Sequence, residues 1–152
     1  MAIVVKRSLT SQEELINSNK LDWSTMGYKY EATSSIDFTS PATAYQHYYP
    51  TGWTLTFDAV VGATYKIDAY TSYLEITLNK ELDFGIEIVS GATSLALTND
   101  YQTGSQLARA RSAHLIATAT AASVTVRCWV AVDASSTAVR LYAGSIQSQR
   151  VA

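Results

Sequence analysis

Val124-Thr125-Val126-Arg127-Cys128-Trp129-Val130-Ala131-Val132 alternates without a break. Val124, Val126, Cys128, Val130 and Val132 fall on one face, and Thr125, Arg127, Trp129 and Ala131 on the other. Successive side chains of a strand point to opposite sides of a sheet, so a period of two predicts a strand with one buried face. Residues 112–121 before it and 137–143 after it have the same character. Three consecutive strands joined by Ala/Ser turns describe an antiparallel sheet. The stretch carries no catalytic or cofactor motif.

The same period recurs upstream. In residues 53–59 Trp53, Leu55, Phe57 and Ala59 point inward, and in residues 64–70 Tyr65, Ile67 and Ala69 do. Val61-Gly62-Ala63 lies between them and predicts a hairpin. Residues 27–32, 73–78 and 84–89 read as further strands, and Ser90-Gly91 turns into Leu95-Ala96-Leu97. Residues 99–105 read as a loop. Residues 106–111 carry helix-favouring Leu, Ala and Arg, but they run into the alternation of Ala113, Leu115, Ala117 and Ala119, so strand is preferred. Ile146 breaks the phase set by Val139 and Leu141, which puts a bulge at Gly144. Nine or ten strands at regular spacing predict an all-β, antiparallel β-sandwich over residues 26–152.

Residues 1–25 read as an N-terminal arm. Ile3, Val4 and Val5 form a short apolar strand, and Ser11-Gln12-Glu13-Glu14 matches a capping box for the one short helix expected. An arm of this kind packs on a neighbouring subunit or folds back on its own domain.

At 152 residues, 47% hydrophobic and 16% charged, the chain is long enough to bury one core without staples. A net charge of −2 gives no electrostatic case for nucleic acid or an anionic membrane. Arg109, Arg111, Arg127, Arg140 and Arg150 are expected to be solvated or paired. The single cysteine, Cys128, excludes an internal disulfide and lies on the valine face, where it is expected to be buried and inert. The N-terminus lacks a signal-peptide h-region, and no run approaches the ~18 apolar residues of a membrane span.

Candidate chemistry is sparse. His47 and His114 have no acidic or cysteine neighbour at metal-ligand spacing. Asp58, Asp68, Glu75, Glu81, Asp83 and Glu87 could supply a glycosidase pair, but their spacing selects none. No catalytic residue, cofactor site or metal site is assigned, and an enzyme is not expected. The long segment 34–50 concentrates Tyr45, His47, Tyr48 and Tyr49. Its composition suits stacking on sugar rings, yet the same residues suit packing or a subunit interface, which is favoured.

Residues 115–152, with Val139-Arg140-Leu141-Tyr142-Ala143-Gly144-Ser145 after the Ala-Ser-Ser turn, resemble the last strands of jelly-roll proteins of tailed-phage virions. The hairpin pattern of residues 53–70 resembles the trimeric C1q/tumour-necrosis-factor sandwich. The resemblance implies a structural virion protein assembled in the host cytoplasm, foremost a capsid cement or decoration protein. Such a protein bridges major capsid protein subunits, as a homotrimer. The alternative is a glycan-binding module or a tail-fibre or receptor-binding domain. Interface candidates are then Ile3, Val4, Val5, Tyr45, Tyr48, Tyr49, Arg127 and Trp129, with Trp129 at the trimer contact. Glycan candidates are Tyr45, His47, Tyr48 and Tyr49.

Overall fold

The structure is a computed structural model and describes residues 29–39, 45–76, 82–98, 100–102, 109–132 and 138–152. The arm strand, the capping-box helix and the start of the 106–111 stretch lie outside these residues. The described strands are β1 Lys29–Thr33, β2 Ile36–Thr39, β3 Thr54–Asp58, β4 Thr64–Ile76, β5 Leu82–Ser90 and β6 Ala92–Thr98. They continue with β7 Asp100–Gln102, β8 Arg109–Ala119, β9 Ser123–Val132, β10 Ala138–Leu141 and β11 Gly144–Arg150. Every described pairing is antiparallel. The fold is the expected all-β sandwich.

One sheet has the order β3-β9-β5-β7. In the other, β6 pairs with β8 and β8 with β4, whose far edge takes both β11 and β10. Outside these lie β1 and β2. From β3 to β10 the chain therefore changes sheet at every step. This corrects two expectations. Residues 53–59 and 64–70 do not pair as a hairpin: β3 pairs with β9, and β4 with β8, β10 and β11. Likewise β8, β9 and β10 are not one meander, since β9 lies in the sheet opposite the other two. The cause is that a period of two fixes which side chains face inward, and it is the same whether two apolar faces pair edge to edge or pack face to face.

The inward rows are the predicted ones. Tyr65, Ile67, Ala69, Ala113, Leu115, Ala117 and Ala119 come from one sheet, and Leu55, Phe57, Val124, Val126, Cys128 and Val130 from the other. Trp53 is fully buried, sets its ring edge-on to Phe84 with centroids 6.0 Å apart, and donates its indole N–H to the Ser34 carbonyl at 3.1 Å. An aromatic of this size can enter a core because its one polar atom is satisfied. Each fully buried large apolar side chain contributes roughly 1.5–3 kcal/mol.

Three crossovers meet at one end of the sandwich. Ala59 N–H donates to Ala122 O, Gly62 N–H to Ala119 O and Thr120 N–H to Gly91 O, each at 2.8 Å. The turns after β3, β5 and β8 thus hold one another. At mid-length of the larger sheet, neighbouring strands break in line: β1/β2 at 34–35, β10/β11 at 142–143, and β4 with a bulge between Thr71 and Leu74. Hydroxyls replace the missing ladder bonds there. Thr71 Oγ1 donates to Tyr142 O and Ser72 Oγ to Ala143 O, while Ser35 Oγ and Thr33 Oγ1 accept from the Ala143 and Gly144 N–H groups, all at 2.9 Å. Buried backbone groups need such partners wherever a ladder is interrupted. A Cβ on Gly144 would sit 1.9 Å from Tyr70 O, so glycine is required at this close approach.

Two smaller expectations change. The two strands expected at residues 64–70 and 73–78 run together in β4, Thr64–Ile76, with the bulge between Thr71 and Leu74 marking the expected break; residues 77–78 lie outside the described residues. The loop expected at 99–105 contains β7, which pairs with the first residues of β5.

Candidate functional site

The outer face of β9 is where the long aromatic segment docks. Beyond Arg127, β9 leaves the end of β3, and residues 45–48 take over its edge. Tyr48 N–H donates to Val130 O at 2.8 Å, Val130 N–H to Tyr48 O at 2.9 Å, and Tyr45 N–H to Val132 O at 2.8 Å. A segment held like a strand sends neighbouring side chains to opposite sides. Tyr48 accordingly stacks on Phe38, with centroids 3.8 Å apart and planes 6° from parallel. His47 and Tyr49 go to the other side, over the β9 face that carries Arg127 and Trp129. Tyr45 is set apart at φ +58° and remains 49% exposed.

Five side chains meet on this face. His47 lies flat on the Trp129 indole and edge-on to Tyr49 at 6.1 Å. The Arg127 guanidinium sits 3.5 Å above the Tyr49 ring centre. Glu87 is the register partner of Arg127 across β5 and β9. Its Oε1 accepts from Arg127 Nε at 2.6 Å, its Oε2 accepts from the Tyr49 hydroxyl at 3.0 Å, and His47 Nδ1 lies 3.9 Å from Oε2. Partial burial, then the hydrogen bond to the Glu87 carboxylate, push the Tyr49 hydroxyl above the usual tyrosine range. Charge-assisted bonds to both carboxylate oxygens fix Glu87 in one orientation.

Trp129 is only 6% exposed. The mixed face of β9 was expected to require a subunit to cover it, and the chain's own His47 covers it instead. Arg127 is paired as expected, as is Arg140, whose Nε and Nη2 reach the two Asp37 oxygens at 2.5 and 2.8 Å. Arg111 is buried. Ile3, Val4 and Val5 lie outside the described residues.

Beside the cluster opens a cleft of about 410 Å3. His47, Glu87 and Trp129 line one wall, and Ile88, Ser94 and Leu97 another. β7 covers the β5 edge as far as Phe84, and among the described residues no strand pairs with that edge beyond it. Apolar walls with a few fixed polar groups are the usual make-up of a small-ligand site. Glu87 is a hydrogen-bond acceptor there. Asp83, four residues along the same strand, is about 13 Å away at ~3.3 Å per residue, beyond the ~5–9.5 Å of a glycosidase pair. Among the described residues no three His, Cys, Asp or Glu side chains converge as a metal site.

The sequence reading found the loop but not its division of labour. Of the glycan candidates, the structure brings His47 and Tyr49 together and separates Tyr48 and Tyr45 from them. Glu87 was legible only as one of six unremarkable acids, because its place opposite Arg127 comes from the β5–β9 pairing, which the sequence pattern does not show. His114 belongs elsewhere, on the outer face of the larger sheet, where its Nδ1 lies 2.6 Å from Asp68 Oδ1.

The molecule is thus an antiparallel β-sandwich with a side cleft walled by a fixed carboxylate and a stacked histidine. No protein-family model and no curated protein matches the sequence. Among solved structures it is similar to the tripod (BppUct-A-L) from the baseplate of bacteriophage Tuc2009, at 14% identity and a TM-score of 0.43 over 82% of this chain. This chain spans 64% of that one, less than two thirds of its length. It is also similar to the EclA C-terminal domain, a sugar-binding protein, at 11% identity and a TM-score of 0.42 over 74% of this chain and 77% of that one. A third likeness is to the carbohydrate-binding module CBM6cm-2 of Cellvibrio mixtus lichenase 5A, at 13% identity and a TM-score of 0.36 over 83% and 88% of the two chains.

Proposed function

We propose that this chain is a non-catalytic glycan-binding sandwich, and that it serves as an attachment domain on a tailed-phage virion. The observation that carries the binding role is the cleft in which Glu87, held by Arg127 and Tyr49, stands beside the His47–Trp129 stack and the apolar Ile88 and Leu97. Sugars ask for this combination, with ring C–H faces against apolar or aromatic surface and hydroxyls on oriented acceptors. The virion placement is supported by the resemblance of residues 115–152 to the last strands of jelly-roll proteins of tailed-phage virions.

Capsid cement is the weaker reading, because Trp129, the residue it would place at the trimer contact, is covered from within the chain. The test is a glycan array with the purified chain, followed by titration calorimetry of any hit. Binding lost in Glu87→Ala at unchanged thermal stability supports the role; no hit across plant, bacterial-surface and animal glycans sinks it. Presence of the chain in the tail fraction of dissociated particles tests the virion placement.

A further inference from the structure

We propose that the Glu87 cleft selects uncharged oligosaccharides and rejects those bearing carboxylates, an inference that rests on the glycan reading above. The reason is how the charges at the cleft are spent. Glu87 lines it with a side chain 28% exposed. Among the described residues Arg127 is the nearest cation, but its Nε and Nη2 both go to Glu87 Oε1 and its flat face is taken by Tyr49. His47 and Tyr49 are the other titratable groups facing Glu87 among the described residues; Tyr49 donates its hydroxyl to Oε2, and His47 is stacked on Trp129 with its ring nitrogen turned towards Oε2. Lys66, which reaches into neither wall, is bound to Asp68 on the opposite sheet.

An incoming carboxylate would therefore meet a carboxylate, with no unengaged cation among the described lining residues. A sugar hydroxyl finds the reverse. Glu87 Oε2 accepts one hydrogen bond from Tyr49, and a carboxylate oxygen has room for a second. A hydroxyl donating to it makes a bond of the charge-assisted, stronger kind. Specificity here comes from the repulsive element as much as from the attractive one.

The test uses matched pairs: hexasaccharides of glucose, mannose and galactose, each beside its C6-oxidised uronate, titrated calorimetrically into the full chain near pH 7. At least one neutral member binds, and its uronate binds at least tenfold more weakly. High salt narrows that gap, because screening weakens the repulsion. Glu87→Gln, which keeps oxygen acceptance and frees Arg127, narrows it further by raising uronate affinity. A uronate bound as tightly as its neutral partner, or a gap indifferent to both salt and Glu87→Gln, overturns the inference while leaving the glycan reading standing. If no hexasaccharide of either kind binds and the array is also blank, the glycan reading falls and this inference with it.

Discussion

The His47 imidazole lies parallel to the Trp129 indole, with ring centroids 3.9 Å apart and planes 3° from parallel. The histidine acts as a lid over an aromatic that its strand would otherwise show to water. His47→Ala should expose Trp129 and lower stability by about 1 kcal/mol, the usual worth of such a pair. The check is the difference in tryptophan emission between chains with and without Trp129→Phe, which should move to longer wavelength once His47 is removed. Unchanged emission would mean that the indole is covered by something else.

Two glycines with the same backbone conformation should respond differently to alanine. Gly52 has φ +80° and open space where a Cβ would go, so Gly52→Ala costs only the left-handed backbone term, about 1–2 kcal/mol. Gly91 has φ +79°, but a Cβ would lie 2.1 Å from Ser123 O, in the crossover end where three turns hold one another. Gly91→Ala should cost on the order of 3 kcal/mol or more. Urea melts of the two variants side by side check this, and equal midpoints would contradict it.

Asp68 provides a pH signature. Burial raises its pKa, but hydrogen bonds from His114 and Lys66 outweigh that, and the carboxyl ends below its ordinary 3.8. A depressed folded-state pKa adds stability above the unfolded value, and that stability is lost as pH falls through the folded one. Asp68→Asn should therefore cost about 0.5–1 kcal/mol at neutral pH, as expected of a largely exposed network. The cost should fade as pH is lowered from about 4 towards 2. Denaturation of both proteins across that range measures it; a difference that grew on acidification would refute the assignment.

Cys128 is fully buried, and burial pushes its thiol far above the usual range. Thiol reagents act on the thiolate. Native protein should resist maleimide, with labelling appearing only as denaturant opens the sandwich at β9. Rapid labelling in buffer would show that the centre of β9 opens on its own.

How much was legible in the sequence follows from what alternation encodes. Val124, Val126, Cys128 and Val130 declared their inward face because the period of two belongs to the backbone itself. The partner strand did not declare itself, since Leu55 and Tyr65 look alike whether β3 and β4 share a sheet or face each other. The site shows the same limit. Tyr48 and Tyr49 are adjacent and identical in type, yet one is committed to Phe38 and the other to Arg127 and Glu87. Those partners lie 10 to 78 residues away, where local pattern has no reach. The phase break between Leu141 and Ile146 was legible as an interruption, but the bulge expected at Gly144 is not there: β10 and β11 keep one register against β4 across residues 142–143, and the register shift lies in β4 against β8, between Thr71 and Leu74.

The position of β11 has a consequence for synthesis on the ribosome. β11 lies between β1 and β4, pairing with Lys29–Thr33 on one side and with residues 65–71 on the other. A nascent chain that has not yet released residues 144–150 has therefore made β1 without its partner and β4 with an open edge. The larger sheet can close only after those residues leave the exit tunnel. Until then, the exposed strand edges are the surfaces that a chaperone would hold.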